Sequence, residues 1–268
     1  MENLFASLKG LETLILASAL ATARIVGLVA LMPLFSRTRL AGILRTGVAL
    51  ALALPVIPMT VEIAGRGHVD APMMLMLMFK EVVIGALLGF VLGIPFWAAE
   101  AAGNIVDLQR GSTMGTLIDP MMTHETSATG TLLMIVMVGI YLAAGGLHHT
   151  LSTLYDSYAL WAIDSLSPIF SRDAGAILLT LLTRILGMAL TLVAPLIVSL
   201  LLSDVILAFL ARASPHLNIF ALSLVVKTLV FSLVSVLYAA FLVHYMTGSL
   251  AFLNQGMSDL KALVGGAR

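Results

Sequence analysis

The sequence predicts an all-α, polytopic membrane-type protein built of long, kinked helices, and three observations carry that prediction. Of its 268 residues, 60% are hydrophobic. Charged residues make up only 10%, 14 basic against 14 acidic, where soluble domains carry about 25%. The apolar residues gather into six long runs, and mean hydropathy is +1.08. So few charges cannot cover the surface of a water-soluble globule. A net charge of zero argues against nucleic-acid binding, which needs a basic face. With no cysteine there is no disulfide framework, no thiolate nucleophile and no cysteine-held zinc or iron–sulfur site.

The N-terminal stretch, with Glu2, Lys9 and Glu12, does not read as a signal peptide, because a basic region followed by a small-residue cleavage site is missing. The first apolar segment covers about 11–35, broken by Arg24. The second covers about 40–63, with Arg45 near its start and Pro55 and Pro58 near its end. The third spans about 73–107, carries the adjacent Lys80 and Glu81, and is expected to kink at Pro95. A fourth, 126–147, has no charge within its apolar core. The fifth covers about 174–210, with Pro195 inside it, and the sixth about 219–253. Six helical spans result. The third and sixth are too long for a simple span, reaching roughly 50 Å against roughly 30 Å of hydrocarbon. Long helices partly clad by other protein explain that excess better than tilt alone. Loop basic residues divide evenly between the two sides, so they assign no orientation. No internal repeat or linker stands out, and the chain reads as one domain.

Gly85, Gly89 and Gly93 form a ridge at spacings of four on one helix face, which lets another backbone approach closely. The ridge suits a helix of the same chain or of another subunit. Beyond Pro95, Glu100, Asn104 and Asp107 share a face at spacings of four and three, and Arg110 stands three residues after Asp107. They are either a polar path or a helix end emerging into water. The stretch Gly111, Ser112, Thr113, Met114, Gly115, Thr116, Leu117, Ile118, Asp119, Pro120 breaks the helix yet keeps apolar tips. Non-helical backbone at membrane depth is tolerated where it is buried in protein or lines a cavity. Asp119-Pro120 and Thr123-His-Glu125 offer start signals for the fourth helix.

Among the charges inside apolar segments, Lys80 and Glu81 point roughly 100° apart on a helix and are expected to pair with other helices, not with each other. Arg184 and Asp204, twenty residues apart, would lie about 30 Å apart on one helix. With Arg24 and Lys227 they are candidates for interhelical pairing. His148 and His149 are consecutive and cannot chelate one metal together. The 15 methionines, Met73, Met74, Met76 and Met78 among them, read as core filling. No nucleotide, zinc-hydrolase or serine-hydrolase motif is present, so no enzyme, cofactor or metal site is expected.

Four stretches together carry a resemblance. They are Arg24-Ile-Val-Gly27 with Pro33-Leu-Phe35, Arg45 and Pro55; Phe79-Lys80-Glu81 with the glycine ridge and Ala102-Gly103; Asp107-Leu-Gln-Arg-Gly111 with Met114 and Asp119-Pro120; and Ala213-Ser-Pro215-His216-Leu-Asn218-Ile219-Phe220. The chain resembles the FliR/SctT family, a subunit of the export apparatus of type III secretion systems. His216 stands where the family usually has Gln, and Arg110 where the flagellar branch often has Met, which fits an injectisome subunit. The resemblance implies an inner-membrane export gate built with several SctR and SctS subunits, with SctU and SctV docked around it. It implies a fusion of an SctR-like portion, 1–170, with an SctS-like helical hairpin, 171–268, turning at Pro215, His216 and Asn218. Part of the chain would then be raised above the bilayer. The stretch Gly111 to Pro120 resembles the family's plug, which closes the pore until an unfolded protein substrate arrives. The alternative reading is a secondary transporter of a small solute, using the broken segments and their buried charges.

Overall fold

The computed structural model describes residues 2–36, 42–65, 71–112, 127–166, 173–214, 216, 218–250 and 260–261. These are helical almost throughout, and no strand occurs among the described residues. The helices are α1 (Glu2–Leu31), α2 (Pro33–Ser36), α3 (Gly42–Ala53), α4 (Ile57–Gly65), α5 (Ala71–Arg110), α6 (Ala128–Ala143), α7 (Gly146–Leu160), α8 (Ala174–Ala213) and α9 (Ile219–Ser249). Four of them are long and apolar enough to cross a membrane, and up to six spans result if α3 with α4 and α6 with α7 each count as one.

Three segments differ from the sequence expectation. The second is two helices, bent by 76° across Leu54, Pro55 and Val56. Proline supplies no N–H to continue the ladder, so the helix ends before Pro55 and a new one starts after it. The fourth segment is shorter than expected and stops at Ala143, where Gly145 takes a left-handed φ of 74°. The Tyr141 hydroxyl donates to the Gly146 carbonyl at 2.5 Å, closing that turn. After it comes α7, which the hydropathy pattern did not mark, because two histidines, Asp156 and several hydroxyls dilute its apolar residues. The long helices α5 and α8 run through Pro95 and Pro195 without interruption.

The chain divides into two compact units, one of Met1–Ile94, Leu147–Leu179 and Leu253–Arg268, the other of Pro95–Gly146 and Thr180–Phe252. The division falls at Pro95, where the proline removes one rung of the α5 ladder.

In the first unit, α1 is central. Its buried residues Ala17, Leu20, Ala21, Arg24, Ile25 and Leu28 recur at helical spacing and form one core face. Gly27, Gly85 and Gly89 set a close crossing of α1 and α5. A Cβ on Gly85 would collide with the Arg24 carbonyl, and one on Gly89 with that of Leu28. The ridge glycines Gly85 and Gly89 thus receive a helix of the same chain. Gly93, one turn on, is buried.

In the second unit, the α5 residues Phe96, Ala98, Ala99, Ala102 and Val106 pack as core, with Leu133, Met134, Met137 and Tyr141 of α6. Phe96 and Tyr141 meet edge to face, 5.1 Å between centroids. From α8 the buried face is Leu181, Ile185, Ala189, Leu192, Val193, Leu196 and Leu200. The last helix differs. Only Met246 of α9 is buried, and its apolar side chains, Phe220, Leu229, Leu233, Val236, Leu237 and Phe241 among them, are exposed.

Candidate functional site

Two polar clusters stand inside these apolar helices, one in each unit. In the first unit, Arg24 of α1 and Glu81 of α5 form a buried two-pronged ion pair, Nε to Oε2 at 2.6 Å and Nη2 to Oε1 at 3.1 Å. A matched fork of this kind is the strongest geometry a carboxylate offers. Arg24 also donates to the Ser157 hydroxyl and the Trp161 carbonyl, and its guanidinium lies 3.9 Å from the Tyr158 ring centroid. Lys80 donates to the carbonyls of Ala162, Ile163 and Ser165. The sequence expectation that Lys80 and Glu81 do not pair with each other is corrected here, because Lys80 Nζ lies 2.9 Å from Glu81 Oε1. The roughly 100° between successive helix positions is spanned by the long lysine stem, which bends over the carboxylate. Two cations thus share one carboxylate, and carbonyls just beyond the C-terminus of α7 meet the remaining positive charge, the end of a helix that favours cations.

The second cluster sits where α5 ends. Gly111 adopts a φ of 78°, and the turn closes with Gly111 N to Leu108 O and Ser112 N to Asp107 O, both 3.1 Å. These paired bonds form the glycine-dependent helix stop in which the residue after the cap is left-handed. Gly111, placed by sequence in the plug, is therefore the terminator of α5, and Ser112 follows it. Thr113, Met114, Gly115, Thr116, Leu117, Ile118, Asp119 and Pro120 lie outside the described residues, as do Thr123, His124 and Glu125.

The chain is described again from Ser127, the N-cap of α6, whose hydroxyl accepts from Gly130 N at 2.8 Å. Ser127 stands directly before the first helical turn, where a capping side chain must be. Asp107 joins the two sides. Its Oδ1 accepts from Thr129 Oγ1 at 2.6 Å and Arg110 Nη2 at 2.8 Å. Its Oδ2 accepts from Ser127 Oγ at 2.6 Å and Thr129 N at 3.0 Å. Gly103 and Gly130 are in backbone contact, with no room for a Cβ on Gly103.

Around this neck, Lys227 of α9 pairs with Asp204 of α8 at 2.6 Å and donates to the Gln109 carbonyl at 3.1 Å. The Gln109 side chain donates to Asp204 Oδ2 at 3.2 Å, and the Arg110 guanidinium lies 4.6 Å from the Phe231 ring centroid. Arg184 is half-buried farther along α8. Of the residues expected to share a polar face, Asp107 is buried and engaged within the chain, Arg110 pairs with it, Glu100 is half-buried and Asn104 is exposed. Asn218 caps α9, accepting from Ala221 N at 3.3 Å, and His216 is an exposed turn residue. Pro215 lies outside the described residues.

Sequence reasoning missed Gly27, Gly130, Ser127 and Thr129. Gly27 follows Ala23 and Ala19 at spacings of four, and that small-residue ridge on α1 was the available signal. Ser127 directly precedes an apolar run, and that adjacency was the available signal. Among the described residues no cluster of three histidine or acidic side chains could hold a metal ion.

This arrangement is one of buried ion pairs between the apolar helices of a membrane protein. The model of bacterial export proteins, family 1, matches residues 15–253. The Yop proteins translocation protein T of Yersinia pestis is 37% identical over 211 residues, 78% of this chain and 80% of that one. The surface presentation of antigens protein SpaR of Salmonella typhimurium is 32% identical over 247 residues, 92% and 91% of the two chains. The flagellar biosynthetic protein FliR of Bacillus subtilis is 26% identical over 235 residues, 87% and 90% of the two. The chain belongs to this family, the FliR/SctT subunits of the type III export apparatus. Family and apolar helices together make it a multi-pass inner-membrane protein.

Proposed function

We propose that this chain is a core subunit of an injectisome export gate, forming with SctR-like and SctS-like subunits the pore that passes unfolded protein, with residues 111–120 plugging it when closed. The observation that carries the reading is the neck at Asp107. One buried residue, Asp107, gathers the end of α5 and the start of α6, bringing Ser112 and Ser127 to the same place. A segment rooted in this way can fill a lumen and swing aside without melting the helices on either side.

Exposure supports the assembly. Most of α9 and one face of α8 are apolar and uncovered. At 40 residues, α5 and α8 each extend about 60 Å, twice the hydrocarbon thickness of about 30 Å. Cladding by SctR-like and SctS-like helices, partly above the bilayer, accounts for both features, with SctU-like and SctV-like subunits docked outside. On this reading the chain joins an SctR-like portion, 1–170, to an SctS-like hairpin, 171–268, and Glu100 and Asn104 give the lumen wall its polar character. Greater identity to the Yop translocation and SpaR proteins than to the flagellar protein supports the injectisome branch.

Removing residues 113–120 while keeping Gly111, Ser112 and Ser127 tests the plug. The assembled gate is expected to become leaky to ions in planar-bilayer recordings. Conductance identical to that of the intact gate would overturn the plug role.

A further inference from the structure

We propose that the groove between α1 and α3 binds an anionic phospholipid, with Arg45 holding the headgroup phosphate and the apolar walls holding an acyl chain. The site lies wholly within the first unit and does not depend on the plug reading.

Arg45 is a cation that the ion pairs leave over. Arg24 and Lys80 lie on Glu81, Arg110 on Asp107 and Lys227 on Asp204. No carboxylate among the described residues pairs with Arg45, whose hydrogen bond there runs from Nη2 to the Val29 carbonyl at 2.7 Å. Val29 stands in the last turn of α1, where carbonyls have no helical donor left, so this bond fixes the guanidinium in place. The helix end carries about half a negative charge, which leaves the guanidinium cationic. Its remaining N–H groups belong to the planar fork that suits phosphate.

The surroundings select a lipid over a soluble anion. The groove encloses about 240 Å³ and is lined by Val26, Val29, Ala30, Arg45, Thr46 and Ala49. Four of these side chains are apolar and give a free phosphate nothing to bind, whereas an attached acyl chain buries along them. Depth agrees with this. The apolar span in α1 ends at Leu31, and the bent pair of α3 and α4 starts at Gly42. Val29 and Arg45 each lie within one turn of those ends, which puts the charge at headgroup level. Val26 and Ala49 lie about one turn deeper, toward the hydrocarbon. The outer side of the groove is open among the described residues. Val26 is 48% exposed and Ile43 88%, and nothing comes within 4 Å of a Cβ added at Gly42 or Gly47. Basic pockets between membrane helices are places where phospholipid headgroups bind. An apolar partner helix seated here would instead bury an unpaired guanidinium, at a cost.

The test uses the export apparatus assembled with this chain and reconstituted in nanodiscs. Phosphatidylglycerol and phosphatidylcholine carrying the same photoreactive acyl chain are compared, and crosslinked peptides are mapped by mass spectrometry. Phosphatidylglycerol is expected to label the groove faces of α1 and α3 more than phosphatidylcholine does. Arg45→Gln should lower that yield about fivefold, the worth of one basic residue at an anionic headgroup. Arg212→Gln, which removes an exposed cation elsewhere, should leave it unchanged. Equal yields from the two lipids, or from the parent and Arg45→Gln, overturn the proposal. Loss of labelling on adding inorganic phosphate overturns it too, because the ligand is then the free anion. So does the absence of labelling at the groove, which would show a partner subunit covering it. Should Arg45→Gln fail to assemble, Ala30→Phe decides. It fills the groove from an exposed position and keeps the charge, so the yield must fall, and a parental yield overturns the lipid site.

Discussion

Glu81 shows how much rests on a single side chain in this protein. It is the carboxylate that Arg24 and Lys80 share, and all three are buried. Taking it away leaves two cations in an apolar interior, so Glu81→Ala is expected to cost about 3–5 kcal/mol, the range for breaking a buried pair from one side. Thermal unfolding of the detergent-purified chain measures this, and a melting temperature equal to the parent's would refute the role. Glu81→Gln keeps the shape but supplies an N–H against the arginine fork, so it too should destabilise. Composition made the three charges conspicuous, since so few occur in apolar segments. Their pairing was not legible, because Arg24 and Glu81 are 57 positions apart and meet only through the α1–α5 crossing. The contact between Lys80 and Glu81 was misread for a different reason, since backbone angles do not limit a flexible four-carbon stem.

At the scale of the element, glycines that look alike do different things. Gly85 and Gly139 both lie inside helices. Around Gly139 nothing comes within 4 Å of an added Cβ, whereas at Gly85 the Cβ would run into the Arg24 backbone. Gly139→Ala is therefore expected to be neutral or to stabilise by about 0.5–1 kcal/mol through helix propensity. Gly85→Ala must push α1 away from α5 and loosen the Arg24–Glu81 fork with it. Parallel melting curves check the pair, and equal effects would show that the crossing tolerates a methyl group. The ridge spacing in the sequence revealed the close approach and left its partner open. Helix ends follow the same rule. Asn218→Ala should cost about 1 kcal/mol as a lost N-cap on α9, read from the same curves.

Across the whole molecule, the uneven distribution of burial matters most. Arg24 and the α5 core are enclosed within the chain, while α9 leaves nearly all its apolar surface outward. Single cysteines at Val236 and Leu237, or at Leu132 and Ile135 of α6, give a direct measure of what covers these faces. A lipid-permeant maleimide is expected to modify them in the lone subunit and to be blocked once SctR-like and SctS-like partners are co-expressed. Equal modification in both cases would show that lipid alone covers them.

The sequence by itself determined that this is an α-helical membrane protein, where most of its long helices run, and that α5 stops near Gly111. Those properties follow from composition, hydropathy and the backbone demands of glycine and proline, all of which act locally. Only the tertiary structure decided which charges meet, that α7 exists as a helix, and that Asp107 faces the end of α5 and the start of α6 at once. Such facts depend on which helix lies against which, and in apolar segments of nearly uniform hydropathy many pairings bury the same greasy surface. The few polar groups that find partners single out one pairing among them.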